Sequence, residues 1–480
     1  MRNNNPSVFG VLVSVFFFWG FVAASNDILI PVFKEALDLT NAQSQLINFA
    51  FYLAYAVGAI VYVTHGSITK KDIVARIGYQ HSIALGLLVS ALGTLLFIPA
   101  AELNSFGMMI SGLFIVGLGF ALQQTAANPF AIALGTPEGG SQRLSLAGGI
   151  NNIGTTIGPL ILAFAIFGGV KDAPDAAEIS INSVKTPYLF LGFAFFLVAI
   201  LFYVSGKRNS FYPGTSAHAE SGGVNDESTA IPKDAVGRLK DYPQLYLGML
   251  GIFTYVGVEV ATAGHLGAYI KEEVAGMGEG TIAPFVALYW ASLMVGRWVS
   301  GASVFSSNLN YRFALKVILP FLAFGLFLGA TSIAGYDVQP FYSYAFVIPL
   351  VIIADMLSKD KPALQLLLFS SLGILALIVG MATTGIVSVF AFISVGLFCS
   401  TLWPCVFTLA TRSLGEYTSK GSSLLIMMIM GGAFLSLLQG VIADIPFFGV
   451  RYSFIVGLAC FAYLAFYALK MSHLKEKLRH

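Results

Sequence analysis

Fourteen stretches of about 20 apolar residues, each long enough to cross a hydrocarbon core as one α-helix, run through this chain. They fall near 8–33, 44–65, 80–100, 106–134, 143–168 and 187–206, then near 244–270, 282–304, 313–333, 338–357, 363–382, 386–411, 421–443 and 451–471. None alternates as the strands of an outer-membrane barrel must. The chain is 57% hydrophobic and 10% charged over 480 residues, whereas soluble domains carry roughly 25% charge. An all-α membrane protein follows. Residues 7–33 are too long for a signal-peptide core and lack a cleavage site, so they are read as the first span. A net charge of +2 implies no nucleic-acid partner. Cys399, Cys405 and Cys460 all sit in apolar runs, where a small buried hydrophobe is expected rather than a disulfide or a metal ligand.

Charge placement tests the count of spans. With the amino terminus cytoplasmic, Lys70, Lys71, Arg76, Arg143, Lys207, Arg208, Lys233, Arg238, Lys240, Arg312, Lys359, Lys361, Arg412, Lys420 and the tail from Lys470 fall inside. Only Lys34, Lys171, Lys185, Lys271 and Arg451 fall outside, as the positive-inside bias requires. Crossing only one of 338–357 and 363–382 would move Arg412, Lys420 and the basic tail outside, so an even count is required. Both termini are then cytoplasmic. Residues 207–243, rich in Gly, Ser, Pro and charge, read as a cytoplasmic linker between transport halves at 1–206 and 244–480.

The halves repeat. FKEAL after the first span is echoed by IKEEV after the seventh, and at the same offset of 237 Tyr52 and Ala54 meet Tyr289 and Ala291. Downstream the offset grows to 275 for Pro129 and Pro404, and to 278 for Ser145-Leu146 and Ser423-Leu424. About 40 residues, one helical hairpin, have therefore entered the second half between its second and fourth repeat elements. We place this hairpin at about 338–382 and expect it at the periphery, outside the substrate cavity. Six plus six spans remain, and parallel halves of six predict a major-facilitator architecture with substrate bound near the midplane.

Four polar stretches interrupt the apolar runs: SNDILIP (25–31), QQTAANPF (123–130), GGINNIG (148–154) and YVGVEV (255–260). Polar groups in hydrocarbon are costly, about 2.5–3.5 kcal/mol for a central Asp on insertion scales, and they mark a path for something polar. In these stretches the chain resembles the fucose permease and glucose/galactose transporter family of the major facilitators, through NDILIP, QTAANPF, NNIG, YVGVEV and the later GEYTSKGSS. The resemblance covers both halves apart from the linker and the inserted hairpin. It implies a monosaccharide symporter of a bacterial inner membrane, driven by protons or sodium and needing no cofactor. In the fucose branch an acidic residue precedes TAANPF and acts with the first-span Asp in proton coupling. Here that position is Gln124, and a seventh-span position that is an amide in that branch is Glu259. Both departures resemble the glucose/galactose branch. The loop HGSITKKDIVARIGY after the second span lacks the GxxxDR pattern of many major facilitators, and no gating role is assigned to it.

The residues can be read beside that resemblance. Asp27 has no basic neighbour within a helical turn, and an isolated carboxylate in hydrocarbon takes up a proton or a cation. Asp27 is thus the first coupling candidate and Glu259 the second, with hydrogen bonding between helices as the structural alternative. Gln124 and Asn128 share one helical face, as do Asn48, Tyr52 and Tyr55 on the second span and Gly148, Asn151, Asn152 and Thr155 on the fifth. Amides both donate and accept, as sugar hydroxyls do, so Gln124, Asn151, Asn152, Asn48, Tyr52 and Asn128 are candidates to line a cavity for a neutral sugar. Asn128 with Pro129 can instead serve a kink. Trp19, Tyr255, Trp290 and Trp403 lie near these positions, where an aromatic face can stack on a pyranose. Arg297 near the cytoplasmic end of the eighth span is the one mid-membrane cation that could meet a sugar acid; the alternative is snorkelling or a helix-end partner. His265 reads as a buried interface residue before it reads as a proton relay.

No metal-binding, hydrolase or phosphate-loop motif is present in the sequence. The expected function is cation-coupled import of a glucose- or galactose-like hexose by a monomer in the lipid bilayer, by alternating access. A proton-coupled L-fucose permease, or one for another deoxy or amino sugar, is the alternative within transport. A sugar sensor or a membrane-embedded enzyme is the alternative outside it.

Overall fold

The computed structural model describes residues 6–69, 73–134, 140–167, 184–208, 242–273, 279–301, 309–359, 361–412 and 418–477. Most of the expected linker, 209–241, lies outside the described residues, as do Lys70, Lys71, Lys171 and the first part of the GEYTSKGSS motif. Fourteen helices among the described residues are long and apolar enough to cross a membrane. They are α1 (Val8–Ala36), α2 (Asn41–Tyr62), α3 (Tyr79–Glu102), α4 (Phe106–Asn128), α5 (Ala147–Ile166), α6 (Lys185–Lys207) and α7 (Pro243–Glu272). The others are α8 (Ile282–Ser300), α9 (Asn310–Ile333), α10 (Gln339–Ser358), α11 (Pro362–Ala382), α12 (Gly385–Ala410), α13 (Leu424–Ala443) and α14 (Gly449–Ser472). Each apolar window of the sequence finds its helix. In hydrocarbon only a helix satisfies its own backbone, so the length and apolarity of each window dictate its structure.

The chain folds as an all-α bundle of two halves with two extra helices in the second. In the first half α1 packs along α5, α2 along α4, and α3 is wedged between α4 and α6. Backbones approach closely there: a Cβ placed on Gly93 of α3 would lie 2.7 Å from the Gly112 carbonyl oxygen of α4, and one on Gly158 of α5 would lie 2.7 Å from the Phe21 carbonyl oxygen of α1. Small residues at such seams are how membrane helices gain packing without a hydrophobic drive.

The second half repeats these pairings and corrects the expected place of the insertion. α7 packs along α13, α8 along α12, and the helix wedged against α12 and α14 in the manner of α3 is α11. α9 packs chiefly on α8, touches α10 and reaches α5 of the first half, while α10 bridges α8 and α11. The extra pair is therefore α9 and α10, rather than the hairpin expected at 338–382. α11 is a core element because its glycines admit neighbouring rings: Cβ atoms on Gly373 and Gly380 would lie 2.5 Å from the Phe461 ring and 2.7 Å from the Phe392 ring.

Candidate functional site

The first functional stretch is built on a helix that contains a proline. Pro31 lies inside the helix that forms α1 and has no N–H to offer four residues back, so the Asp27 carbonyl loses its helical donor beside the Asp27 carboxylate. That carboxylate is buried and accepts a hydrogen bond from the Trp290 indole Nε1–H of α8 at 2.7 Å. A carboxylate of one half is thus tied to an indole of the other. Trp290, expected to stack on a sugar ring, has its polar edge committed to Asp27 here.

Glu259 on α7 is half-buried. Its Oε2 accepts from the Tyr255 hydroxyl at 2.5 Å, one helical turn away, and its backbone carbonyl accepts from the Tyr289 hydroxyl of α8 at 2.8 Å. Tyr255 also faces Trp403, ring centroids 6.2 Å apart, and Trp403 stacks on Phe407 at 6.1 Å. The second acid and two of the expected aromatics are therefore neighbours in the second half.

Arg297 does not snorkel. Its Nη1 donates to Asn152 Oδ1 of α5 at 2.8 Å, and its Nε donates to the Ser400 carbonyl of α12 at 3.4 Å. The carbonyl is available because α12 is interrupted between Gly385–Cys399 and Leu402–Ala410, and Pro404 cannot supply the N–H that a continuous helix would aim at Ser400. Asn152 is buried and committed to this second link between the halves, while its Nδ2 finds no protein partner.

The other amides divide. Gln124 is half-buried and donates to the Tyr55 hydroxyl at 3.3 Å; Asn128, one turn away on the same face, is also half-buried. Tyr52 is buried and lies against Tyr55, centroids 6.3 Å apart, and its ring would be 3.2 Å from a Cβ on Gly432 of α13. Asn151 joins α5 to α1, its Nδ2 donating to the Phe16 carbonyl at 2.9 Å. Trp19 leaves the cavity set altogether. It is 5% exposed, packs on Phe16 and donates its indole N–H to Gln123 Oε1 at 3.0 Å, while Gln123 donates to Ser90 Oγ at 3.1 Å. Gln123 is a core amide that the sequence reading passed over in favour of its neighbour.

Asn48 belongs to a closure at the Lys34 end of the bundle, the end that the charge bias leads one to expect outside. Its Nδ2 donates to Gln45 Oε1 at 3.3 Å, and Gln45 Nε2 crosses to the Gly264 carbonyl of α7 at 3.0 Å. Asp444, at the end of α13, accepts the Asn41 and Ala42 backbone N–H groups at 2.7 and 2.8 Å, so it caps the first turn of α2 from the opposite half. Lys271 at the end of α7 pairs with Glu35 at the end of α1. His265, buried nearby on α7, keeps its Nδ1 on the Ala261 carbonyl of its own helix at 2.9 Å, which fits an interface residue. The sequence reading missed Gln45, Tyr289 and Asp444; the last ends a span, where a carboxylate drew no attention.

Comparison with known proteins places this geometry in a family. The model of the Major Facilitator Superfamily matches residues 8–356. The glucose/galactose transporter of Brucella abortus is 32% identical over 95% of this chain and 92% of its own length. The putative glucose/galactose transporter of Helicobacter pylori is 29% identical over 98% of both chains, and the L-fucose-proton symporter of Escherichia coli is 28% identical over 91% of this chain and 86% of its own. Among solved structures, FucP in the outward conformation superposes with a TM-score of 0.57 at 24% identity, over 96% of this chain and 98% of that one. A bacterial homologue of the lysosomal transporter Spinster, in an inward-facing conformation, reaches 0.60 at 12% identity over 98% of both chains. These two likenesses show the fold.

Proposed function

This chain belongs to the Major Facilitator Superfamily, and we propose that it imports a neutral hexose of the glucose/galactose class together with a proton, in a bacterial inner membrane with both termini cytoplasmic. The observation that carries the reading is the bond between the Asp27 carboxylate and the Trp290 indole, 2.7 Å long and spanning the two halves. A lone carboxylate is costly to carry through hydrocarbon. Neutralised by a proton, it would let the halves rock past one another; ionised, it holds the indole. Proton uptake and the position of the halves would then be linked, which is the requirement of a symporter.

A proton suits Asp27 better than sodium. A hard cation takes a shell of oxygen ligands, whereas one oxygen of this carboxylate already receives an N–H. The relatives named as glucose/galactose transporters and as an L-fucose-proton symporter support a sugar substrate. In that role Gln124, Asn128 and Glu259 offer donors and acceptors to hydroxyls, and Trp403 offers an aromatic face. Arg297 is held by Asn152 and Ser400, so no committed cation awaits a sugar acid.

Counterflow of labelled glucose into proteoliposomes, against a panel of unlabelled sugars, tests the substrate: galactose should compete strongly and glucuronate should not. Competition by L-fucose alone would favour the deoxysugar permease instead. Uphill uptake should follow an imposed pH gradient without sodium, and uptake driven only by a sodium gradient at fixed pH would overturn the coupling.

A further inference from the structure

A second buried polar cluster lies away from the central site. Lys316 of α9 and Asp355 of α10 form an ion pair at 2.5 Å, their side chains 8% and 2% exposed. The other carboxylate oxygen, Oδ1, accepts from Ser300 Oγ of α8 at 2.6 Å and from Gln365 Nε2 of α11 at 2.9 Å. Gln365 also donates to Ser300 at 3.0 Å, and its Oε1 accepts from Cys405 Sγ of α12 at 3.4 Å. One carboxylate therefore holds the two extra helices to each other and to two helices of the transport half, α8 and α11, and Gln365 extends the cluster to α12. Pairing with apolar groups would have sufficed for glue, because replacing a buried ion pair by apolar residues is often neutral or stabilising.

Ser300 and Arg297 are three residues apart on α8, on one face, and Arg297 makes the link to Asn152 across the halves. α9, which carries Lys316, packs along α8 and touches α5, the helix of Asn152. We propose that Asp355 is a positioning residue for transport: through Ser300 it fixes the rotation of α8, and so aims Arg297 at Asn152. The inserted pair then works as a splint along the seam between α5 and α8. This inference rests on the transport reading above.

The test compares three variants in proteoliposomes. The double variant Lys316→Met with Asp355→Leu removes the charges together and takes away the carboxylate oxygen to which Ser300 donates. Turnover of hexose exchange should fall about tenfold, the worth of one ordinary hydrogen bond, with KM within about twofold of the parent. Lys316→Met with Asp355→Asn keeps an oxygen for Ser300 and should restore turnover. Ser300→Ala, the mildest change, should lower turnover alone. Parent-like turnover in a folded Asp355→Leu double variant, or in Ser300→Ala should the double variant not fold, would overturn the proposal. A readout without substrate separates it from the transport reading. Spin labels at the exposed Leu201 and Phe313 report the distance between the halves near their inner ends. That distribution should broaden in the Asp355→Leu double variant, or in Ser300→Ala, and an unchanged distribution overturns the splint whether or not hexoses are carried.

Discussion

Helices α2 and α8 hold the same place in the two halves, paired by the offset of 237 that sets Tyr52 against Tyr289, yet they bind the opposite half differently. The polar links of α2 sit at its outer end, where Asn41 and Ala42 meet Asp444 and Gln45 meets Gly264. Farther along, the counterparts of Trp290 and Arg297 are Leu53 and Ile60, and Ile60 is 54% exposed. On α8 both positions carry polar groups that reach the first half, one near the middle and one toward the inner end. Burial follows: 89% of the α8 window is buried against 59% of that of α2, because α9 covers α8 and, among the described residues, no extra helix lies along α2 in the same way. A seam bonded along its length can roll without parting, whereas a seam bonded at one end can swing open. The seam of α8 with α1 and α5 thus suits a pivot and the α2 contacts suit a gate.

Five substitutions would break or sharpen this contrast. The largest effect is expected from Asp27→Asn, which keeps an oxygen for Trp290 but cannot exchange a proton. Uphill sugar accumulation should vanish while exchange survives, and undiminished accumulation under a pH gradient would reduce Asp27 to bundle structure. Asp355→Leu alone removes the carboxylate paired with the buried Lys316 on the pivot side, at a cost of about 3–5 kcal/mol. Thermal unfolding in detergent should show it as a large loss of stability, and a parent-like midpoint would mean that the ion pair with Asp355 does not hold the pivot side together. Arg297→Ile writes the α2 residue into α8 and leaves Asn152 Oδ1 buried without its donor, costing about 1–3 kcal/mol. Ile60→Val on α2 should stay within about 0.5 kcal/mol, and equal losses at the two sites would erase the difference between the helices. On the gate side Asp444→Ala removes a cap worth about 1 kcal/mol, the low end of the loss expected at Arg297. A cysteine at the buried Ile30 should then be alkylated from outside about fivefold faster, whereas an unchanged rate would remove Asp444 from the gate.

The fourteen spans were legible because each must satisfy its own backbone in hydrocarbon, and the drift of the repeat offset located the insertion between the second and fourth elements of the second half. Which two helices were extra was not legible. α9, α10 and α11 are all apolar windows of adequate length, and both assignments fit the same offset; only the fit of Gly373 and Gly380 to aromatic rings makes α11 the core element. The site divides along a similar line. Asp27 stood out because an unpaired acid in a span has few explanations. Gln123 and Gln124 are adjacent in sequence and about 100° apart around their helix, so choosing between core and cavity required the rotation of α4. Trp19 was misjudged for the same reason, since the distance along a helix to a polar motif does not say which face a side chain takes. The partners of Arg297 depend on a break in α12, where Pro404 was readable but the freed carbonyl's direction was not.

The cap that Asp444 places on α2 has a consequence for timing. The first turn, Asn41–Ser44, is a separate four-residue helix closed by Thr40 and Gln43 from within the chain, and by Asp444 from across the halves. Each outward opening would withdraw the second closure and leave the Asn41 and Ala42 amides to the solvent. Their exchange with deuterated water then becomes a clock of how long the molecule spends open to the outside, read without any labelled sugar. A sugar that shifts this balance should change the rate at those two amides while leaving the amides of α5 and α8 untouched.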